Sequence, residues 1–413
     1  MMNKNDFAKK PPLGWNSWDV YGAAVTEEEL MRNANFLAEH LKQYGWEYVV
    51  CDIQWFEPTA SSMDYHPFTE LVMDQWSRLL PAENRFPSAA GGAGFKPIAD
   101  RIHDMGLKFG IHILRGIPRQ AVHANTPILG TTATAREIAH PYSACRWNTD
   151  MYGVDPTKEG AQAYYDSIFE LYASWGVDFV KVDDIANVKL TPEEPYSARG
   201  EVELIQNAIQ HCGRPMVLSL SPGPAVVEEH EHLCQYANMW RMTDDFWDDW
   251  TLLKAMFERC EAWAPYVSEG CWPDCDMLPI GHIALRNEER WTRFTRDEQL
   301  TMLSLWGLFR SPLMIGTELP DADDFTLSLL TNEELLDLNQ NGSGGTQIVR
   351  DDAKAIWECH DGAGRKVIGW FNLMDEPQQI TEDYGPVHDL WTKKEGPLDA
   401  VVPPHGVRLF RPL

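Results

Sequence analysis

Two aspartates of this chain stand in surroundings where a carboxyl group could do chemistry. Asp183 closes the apolar run Val177-Asp178-Phe179-Val180-Lys181-Val182-Asp183, and Lys181, two residues earlier, lies on the same face of any strand formed there. A lysine buried beside an aspartate keeps the carboxylate ionised and has donors left for sugar hydroxyls. Asp245 lies in Arg241-Met242-Thr243-Asp244-Asp245-Phe246-Trp247-Asp248-Asp249-Trp250, a stretch rich in acids and aromatics. Crowded like charges raise the pKa of the least solvated carboxyl, which a general acid requires, although a run of acids on so acidic a chain is more often a solvated face. Hydrolysis with retention needs two carboxyls roughly 5 to 5.5 Å apart, one to attack the anomeric carbon and one to protonate the leaving oxygen.

The elements that must position these residues repeat one unit, an amphipathic helix ending at glycine and running at once into a buried strand. It occurs at 26–45 before Trp46 to Asp52, at 97–106 before Leu107 to His112, at 158–176 before Val177 to Asp183, and in a segment ending at Gly213 before Met216 to Ser219. Thr26 and Glu29 make a capping box, and Leu30, Ala34, Leu37, Leu41 and Tyr44 recur at helical spacing. Glycine suits the left-handed position after a helix, and strands this apolar are buried on both faces, so the units are parallel βα pairs. Each strand ends in a polar residue followed by irregular chain. Asp52, His112, Asp183 and Ser219 to Ser221 should therefore meet at one mouth. No glycine-rich phosphate loop follows any strand, which counts against a doubly wound sheet. The expected fold is a (β/α)8 barrel over 1–340, with a helix at 300–309, a last strand at 311–315 and a polar linker at 339–345. A small antiparallel β-sandwich module over 341–413 follows, marked by short strands at 355–359, 366–372 and 407–410. The segments 55–94 and 115–155 exceed ordinary βα loops and are expected to form lids or binding walls.

Composition agrees with a folded enzyme. The 413 residues suit a barrel plus one smaller module, and 44% apolar and 11% aromatic residues supply its core. Against 62 Asp and Glu stand 35 Lys and Arg, a net charge of −27 that repels phosphate backbones and anionic bilayers, so neither nucleic acid nor membrane is an expected partner. The first ten residues are polar, and no run approaches the ~18 apolar residues of a spanning helix, so a soluble, cytoplasmic protein is expected. Eight scattered cysteines include one close pair, Cys271 and Cys275, with no second pair or histidine cluster. Free thiols and no metal are expected, a disulfide near Cys271 being the alternative for a secreted protein. A homo-oligomer is left open.

The motifs Pro11-Pro12-Leu13-Gly14-Trp15-Asn16-Ser17-Trp18, Asp52-Ile53-Gln54-Trp55, Gly106 to Ile111, Gly176 to Asp183, Arg241 to Asp245, Asp274-Cys275-Asp276-Met277-Leu278 and Ser311-Pro312-Leu313 stand in the order found in glycoside hydrolase family 27. The chain resembles that family over most of the barrel. The resemblance implies a (β/α)8 catalytic domain with a small antiparallel β domain behind it. It implies exo-acting hydrolysis of terminal α-linked galactose or N-acetylgalactosamine by double displacement, without cofactor or metal. It makes Asp183 the nucleophile and Asp245 the acid/base, and puts Trp15, Asp52, Lys181, Arg241 and Asp276 at sugar-contacting positions.

The departures bear on the substrate. The family usually has two adjacent aspartates at the end of strand two, gripping the 4- and 6-hydroxyls, whereas here Asp52 is followed by Ile53. One polar clamp is gone, which admits an α-glucoside or a β-L-arabinopyranoside as alternatives, because a site built to bond a hydroxyl discriminates far better than an apolar one. His112 stands where tyrosine is common, as a sugar contact or a satisfied structural histidine. Ser221 stands where the galactosidase branch has Glu and the N-acetylgalactosamine branch Ser, which leaves room at the 2-position. Asp184 replaces the family's cysteine and is expected to be structural.

Arg115 and Arg119, on the chain leaving strand three, could bind an acidic aglycone bidentately or pair with surrounding carboxylates. Trp15, Trp18, Trp55, Trp147, Trp247 and Trp272 fall near strand ends and could stack on sugar rings or pack in the core. Two readings from other classes compete. One is a non-catalytic carbohydrate-binding protein, against which both carboxylates and Lys181 are present. The other is a barrel enzyme using Lys181 as a Schiff base, which needs a lysine desolvated away from charge.

Overall fold

The computed structural model describes residues 2–413. Eight parallel strands form its centre: β1 Leu13–Asn16, β2 Tyr48–Cys51, β3 Lys108–Leu114, β4 Phe179–Asp183, β5 Val217–Leu220, β6 Met239–Arg241, β7 Trp272–Asp274 and β8 Leu313–Ile315. They pair in the order β7-β6-β5-β4-β3-β2-β1-β8. Leu278, just past β7, bridges in parallel to Ile315 on β8 and closes the sheet into a barrel.

The expected βα units are present. Helix α1 (Glu27–Phe36) starts at Thr26 with the Thr26/Glu29 capping box and continues through tighter and wider turns to Gly45, at φ 99°. Helices α2 (Lys96–Asp104), α3 (Ala161–Trp175) and α4 (Arg199–Cys212) precede β3, β4 and β5. Gly176 ends α3 at φ 87°, a conformation that side-chain-bearing residues adopt at a cost.

Strand residues alternate between two cores. Tyr48, Val50, Phe179, Val217, Met239 and Met314 fill the barrel interior, while Val49, Cys51, Phe109, Ile111, Val180 and Val182 pack outward against the helices. Both faces are buried, which is why the strands read as unbroken apolar runs.

Helix α5 (Arg296–Phe309) precedes β8, and helix α6 (Glu333–Asn341) follows it. The polar stretch at 339–345 is no linker. Asn339 to Asn341 complete the last turn of α6, whose Leu335, Leu336 and Leu338 are buried, and Ser343 to Gly345 already belong to the next strand. That strand, β9 (Ser343–Arg350), begins a six-stranded antiparallel sheet with β10 Lys354–His360, β11 Lys366–Asn372, β12 Pro386–Asp389, β13 Glu395–Pro397 and β14 Val407–Pro412, in the order β9-β10-β11-β14-β12-β13. One face (Ala355, Trp357, Phe371, Leu409) joins the main core, and the other (Ile356, Ile368, Trp370, Phe410) is covered by Ile380 and Val402. The second layer of the expected sandwich is thus reduced to a two-stranded ribbon, Gln378–Gln379 paired with Val401–Val402.

Both long insertions sit over the mouth. The segment 115–155 folds into a three-stranded sheet of its own from Ile117–Pro118, Ala139–Ala144 and Met151–Val154. The segment 55–94 is largely irregular and is anchored by Arg85, 5% exposed, whose guanidinium donates to the carbonyls of Gln54 (2.6 Å), Glu57 (2.9 Å), Ala23 (2.6 Å) and Val25 (2.7 Å). Replacing this side chain strands four buried acceptors. Arg85→Met should cost about 3 kcal/mol or more, read as a lower urea midpoint. A midpoint within experimental error of the unaltered protein would mean that the segment is held by other contacts.

Candidate active site

The strand ends meet as the alternation requires. In the β3/β4 register His112 lies opposite Lys181 and Leu114 opposite Asp183, so His112, Lys181 and Asp183 share the inner face of the barrel, with Asp183 one step nearer the mouth than the other two. The Asp52 carboxylate, at the end of β2, accepts from Lys181 Nζ (3.0 Å), Asn16 Nδ2 (2.8 Å) and the Ile53 N–H (2.8 Å). Asp183 accepts at Oδ2 from His112 Nε2 (3.2 Å) and at Oδ1 from the Asp184 N–H (2.9 Å). The contact to Asp183 requires the proton on Nε2, which leaves Nδ1 of His112 buried without a partner.

Electrostatics follow this geometry. Burial opposes ionisation of Asp183, but the hydrogen bond and charge of His112, the Lys181 ammonium and the Asp184 N–H outweigh it and hold the carboxyl below its usual range. Asp52 is likewise depressed, against its burial, chiefly by Lys181 and His112. Asp52 and Asp183 in turn overcome the burial of Lys181 and raise it, so it remains an ammonium and is no Schiff-base amine.

A second cluster faces the first. Arg241, at the end of β6, pairs through Nη2 with Asp245 (2.9 Å) and through Nη1 with Asp276 (2.9 Å). The Asp245 side chain is 66% exposed at the rim, whereas that of Asp183 is 14% exposed. Of the three other carboxylates in that stretch two are met by cations, and the third, Asp249, caps the following helix by accepting from the Thr251 and Leu252 N–H groups. Lys189 pairs with Asp244 (2.8 Å), and Arg290 holds both oxygens of buried Asp248 (2.7 and 2.8 Å). Gly223 lets the chain after β5 lie against Arg241 and Thr243, where a Cβ would collide with both carbonyls.

Between the clusters lies a cavity of about 220 Å³. Asp52, Lys181, Asp183, Arg241, Asp245 and Asp276 all line it. Trp18, Tyr65 and Trp147 form an aromatic wall in which Tyr65 stacks on Trp18 at 5.2 Å and tilts against Trp147 at 5.0 Å. Trp247, Met277 and Pro222 complete it. Such a chamber has paired carboxyls, fixed cations and aromatic faces for a pyranose ring. Among the described residues no cluster of His, Cys, Asp and Glu could hold a metal, and no helix is long and apolar enough to cross a membrane.

Comparison with known proteins places this arrangement. Residues 153–341 match the family Melibiase_2, described as alpha galactosidase A. The solved structure of a GH27 β-L-arabinopyranosidase from Geobacillus stearothermophilus is 54% identical, with 99% of this chain and 98% of that one covered at a TM-score of 0.95, and a substituted form of it was solved in complex with arabinose. A candidate α-N-acetylgalactosaminidase from Bacillus halodurans C-125 is 55% identical, covering 97% and 96% of the two chains at a TM-score of 0.86. Alpha-galactosidase 2 of Arabidopsis thaliana is 25% identical over 99% of this chain and 91% of its own.

The chain belongs to glycoside hydrolase family 27.

As a family-27 glycosidase it departs from the sequence reading at several side chains. Trp15 is fully buried and donates its ring N–H to the Thr317 carbonyl (2.8 Å), so Trp18, and not Trp15, faces the cavity. Trp55 and Trp272 are core residues too. Ser221 is buried with its hydroxyl turned to the Val182 carbonyl (3.5 Å), and Pro222 takes the wall position. Arg115 is 2% exposed and reaches no aglycone. Its Nη1 meets Glu201 (2.9 Å), its Nη2 meets Asp184 (2.9 Å), and its Nε donates to the Asp184 carbonyl. Arg119 lies off the cavity, over the rings of Phe68 (5.3 Å) and Tyr152 (4.9 Å). Cys234 and Cys271 form a disulfide, which corrects the expectation of free thiols throughout. Tyr65, Met277, Lys189 and Asp19 line the cavity without having been picked out, and only Asp19 and Met277 sit inside the recognised motifs or directly beside them.

Arg115→Ala leaves Asp184 and Glu201 buried without their cation and should cost about 3–5 kcal/mol of stability. A normal urea midpoint with a raised KM would return Arg115 to substrate binding. Burial and the neighbouring Asp276 push Asp274 up to about 7. A carboxyl raised above its unfolded value of about 3.9 binds its proton more tightly when folded, so its contribution to stability falls as pH rises through that window and is constant above it. The thermal midpoint of Asp274→Asn should therefore gain on that of the unaltered protein between pH 4 and pH 7, and parallel curves would refute the shift.

Proposed function

We propose that this enzyme is an exo-acting, retaining glycosidase for terminal galacto-configured pyranosides, and that it prefers β-L-arabinopyranosides to α-D-galactosides. The observation that carries the reading is the end of β2. Asp52 is held as a carboxylate facing the cavity, while its neighbour Ile53 is 1% exposed and packed in the core. β-L-Arabinopyranose has the ring configuration of α-D-galactopyranose without the hydroxymethyl group. A chain with one carboxylate at this corner leaves the galactose 6-hydroxyl short of a partner, whereas an arabinopyranoside brings none to satisfy. The similarity to the Geobacillus stearothermophilus enzyme supports the same choice. An N-acetylgalactosaminide is less favoured, because Ser221 points away from the cavity.

In this reading Asp183, kept ionised by His112 and Lys181, attacks the anomeric carbon from the floor of the cavity. Asp245, at the rim on Arg241, protonates the leaving oxygen as the bond breaks. A glycosyl ester on Asp183 forms. Asp245 then takes a proton from water, which attacks the same carbon and frees Asp183, so that two inversions give net retention. Asp52, Lys181, Arg241 and Asp276 hold the ring hydroxyls, and Trp18 offers its face to the ring.

The test is turnover of p-nitrophenyl β-L-arabinopyranoside, α-galactoside, α-N-acetylgalactosaminide and α-glucoside, with the anomer of the first product read by NMR. Fastest turnover of the arabinopyranoside, with retention, is expected. Asp183→Ala should abolish it. Asp245→Ala should lose roughly 10²–10⁴-fold in kcat/KM on an alkyl glycoside but much less in kcat/KM on p-nitrophenyl, whose departure needs little protonation, while kcat falls on both because hydrolysis of the glycosyl ester loses its base. An inverted product would refute the double displacement, and faster galactoside turnover would refute the preference.

A further inference from the structure

One carboxyl of the cavity wall has no partner among the described residues. Asp52 has Lys181, Asp183 has His112, Asp244 has Lys189, and Asp245 and Asp276 share Arg241. Asp19, in the short helical turn Trp18–Tyr21 after β1, lines the same cavity at 3% exposure and has none of these. Its Oδ2 is wholly buried and unbonded, set so closely against Gly316 that a Cβ there would collide with it. The backbone of Asp19 is fixed, since its carbonyl accepts from the Ala284 N–H (2.8 Å).

A buried carboxyl with unmade hydrogen bonds destabilises a fold, and replacement by an apolar side chain of similar shape would remove the penalty. The described residues supply its side chain with no donor or acceptor. A hydroxyl-bearing ligand in the cavity can meet the carboxyl at Oδ1, the oxygen that is not sealed against Gly316. Burial, reinforced by Asp276, Asp52 and Asp245 and opposed by Lys181, pushes Asp19 well above the usual carboxyl range, which favours its neutral form over a carboxylate. A neutral carboxyl both donates and accepts, which matches an alcohol better than a carboxylate does.

We infer that Asp19 is a further sugar-binding residue, whose carboxyl exchanges a hydrogen bond with one ring hydroxyl of the pyranoside and so helps decide which pyranoside is accepted. This rests on the glycosidase reading above. It differs from the Asp52–Lys181 contact in kind: those groups are already satisfied by each other, whereas Asp19 gains its first partner from the substrate. Loss of a hydroxyl that Asp19 bonds should therefore be felt as strongly as loss of Asp19 itself.

The experiment compares the full-length protein with Asp19→Ala and Asp19→Leu, using the p-nitrophenyl pyranoside that the unaltered enzyme turns over fastest and its 2-, 3- and 4-deoxy analogues. Because Asp19 makes no side-chain hydrogen bond in the protein, neither variant breaks one, and urea midpoints at or above that of the unaltered protein are expected. On the parent substrate both variants should lose roughly 10- to 100-fold in kcat/KM. On one deoxy analogue the loss should shrink to within about threefold, which identifies the hydroxyl. Rates on the parent within about twofold of normal, or one equal loss on the parent and every analogue, would overturn the inference and leave Asp19 a structural acid. Silence of the unaltered enzyme on all pyranosides, with no binding of free L-arabinose or D-galactose by calorimetry, would sink the function reading and this inference together.

Discussion

The structure is organised around one requirement, that a carboxylate stay ionised while almost out of water. Burial alone would raise Asp183, and the groups that oppose it come from its own strand and from the neighbouring ones. Lys181 lies two residues back on β4 and Asp184 directly after it, His112 is on β3, and Lys181 is itself balanced by Asp52 at the end of β2. These side chains face the same chamber only because β3 and β4 pair His112 with Lys181, which sets Asp183 one step above them on the same face. A slip of one residue would turn one of them out toward the helices. The barrel is thus a device for register as much as a core, and its unbroken apolar strands fix that register from both faces.

The opposite wall obeys the converse requirement. Asp245 is mostly exposed, and the acid/base role proposed for it requires such communication with water. What it needs is fixed position, which Arg241 supplies while also holding Asp276. The neighbouring acids are neutralised locally, Asp244 by Lys189 and Asp248 by Arg290. The acid-rich stretch therefore owes its composition to a chain of ion pairs that stiffens the rim.

Periodicity made the βα units, the barrel, the later antiparallel strands and the meeting of Asp52, His112 and Asp183 at one mouth legible in the sequence, because a helix closed by glycine before a doubly buried strand leaves few alternatives. Side-chain direction was harder wherever the pattern carries no alternation. All four residues of β1 are buried, so nothing in Leu13 to Asn16 says that Trp15 turns into the wall while Trp18, past the strand end, meets the cavity. Arg115 follows directly on β3 and looks like a mouth residue. The chain turns under at that point, and its charge is spent on Glu201, which is distant in sequence and shows no pattern linking the two. Tyr65 comes from a segment without regular structure, so its stacking between Trp18 and Trp147 is a purely tertiary fact. The polar stretch at 339–345 misled because composition was read without the leucines just before it, which carry the helix through Asn341.

The charge on the cavity wall has a sign that suits the chemistry. Six carboxyls (Asp19, Asp52, Asp183, Asp244, Asp245 and Asp276) face three cations (Lys181, Lys189 and Arg241). Even with Asp19 neutral the wall carries an excess of negative charge. A site for phosphate or another anion would show the opposite balance. Cleavage of a glycosidic bond passes through a state in which positive charge spreads over the anomeric carbon and ring oxygen, and fixed carboxylates in a water-poor chamber stabilise that charge more than they stabilise the neutral ground state. The cations do not cancel the effect, because each is spent on orienting a particular acid. The acidity of the whole chain extends the same field outward, where it is indifferent to an uncharged sugar and disfavours an acidic one. That argues, independently of where Arg115 points, for a neutral glycoside as the substrate.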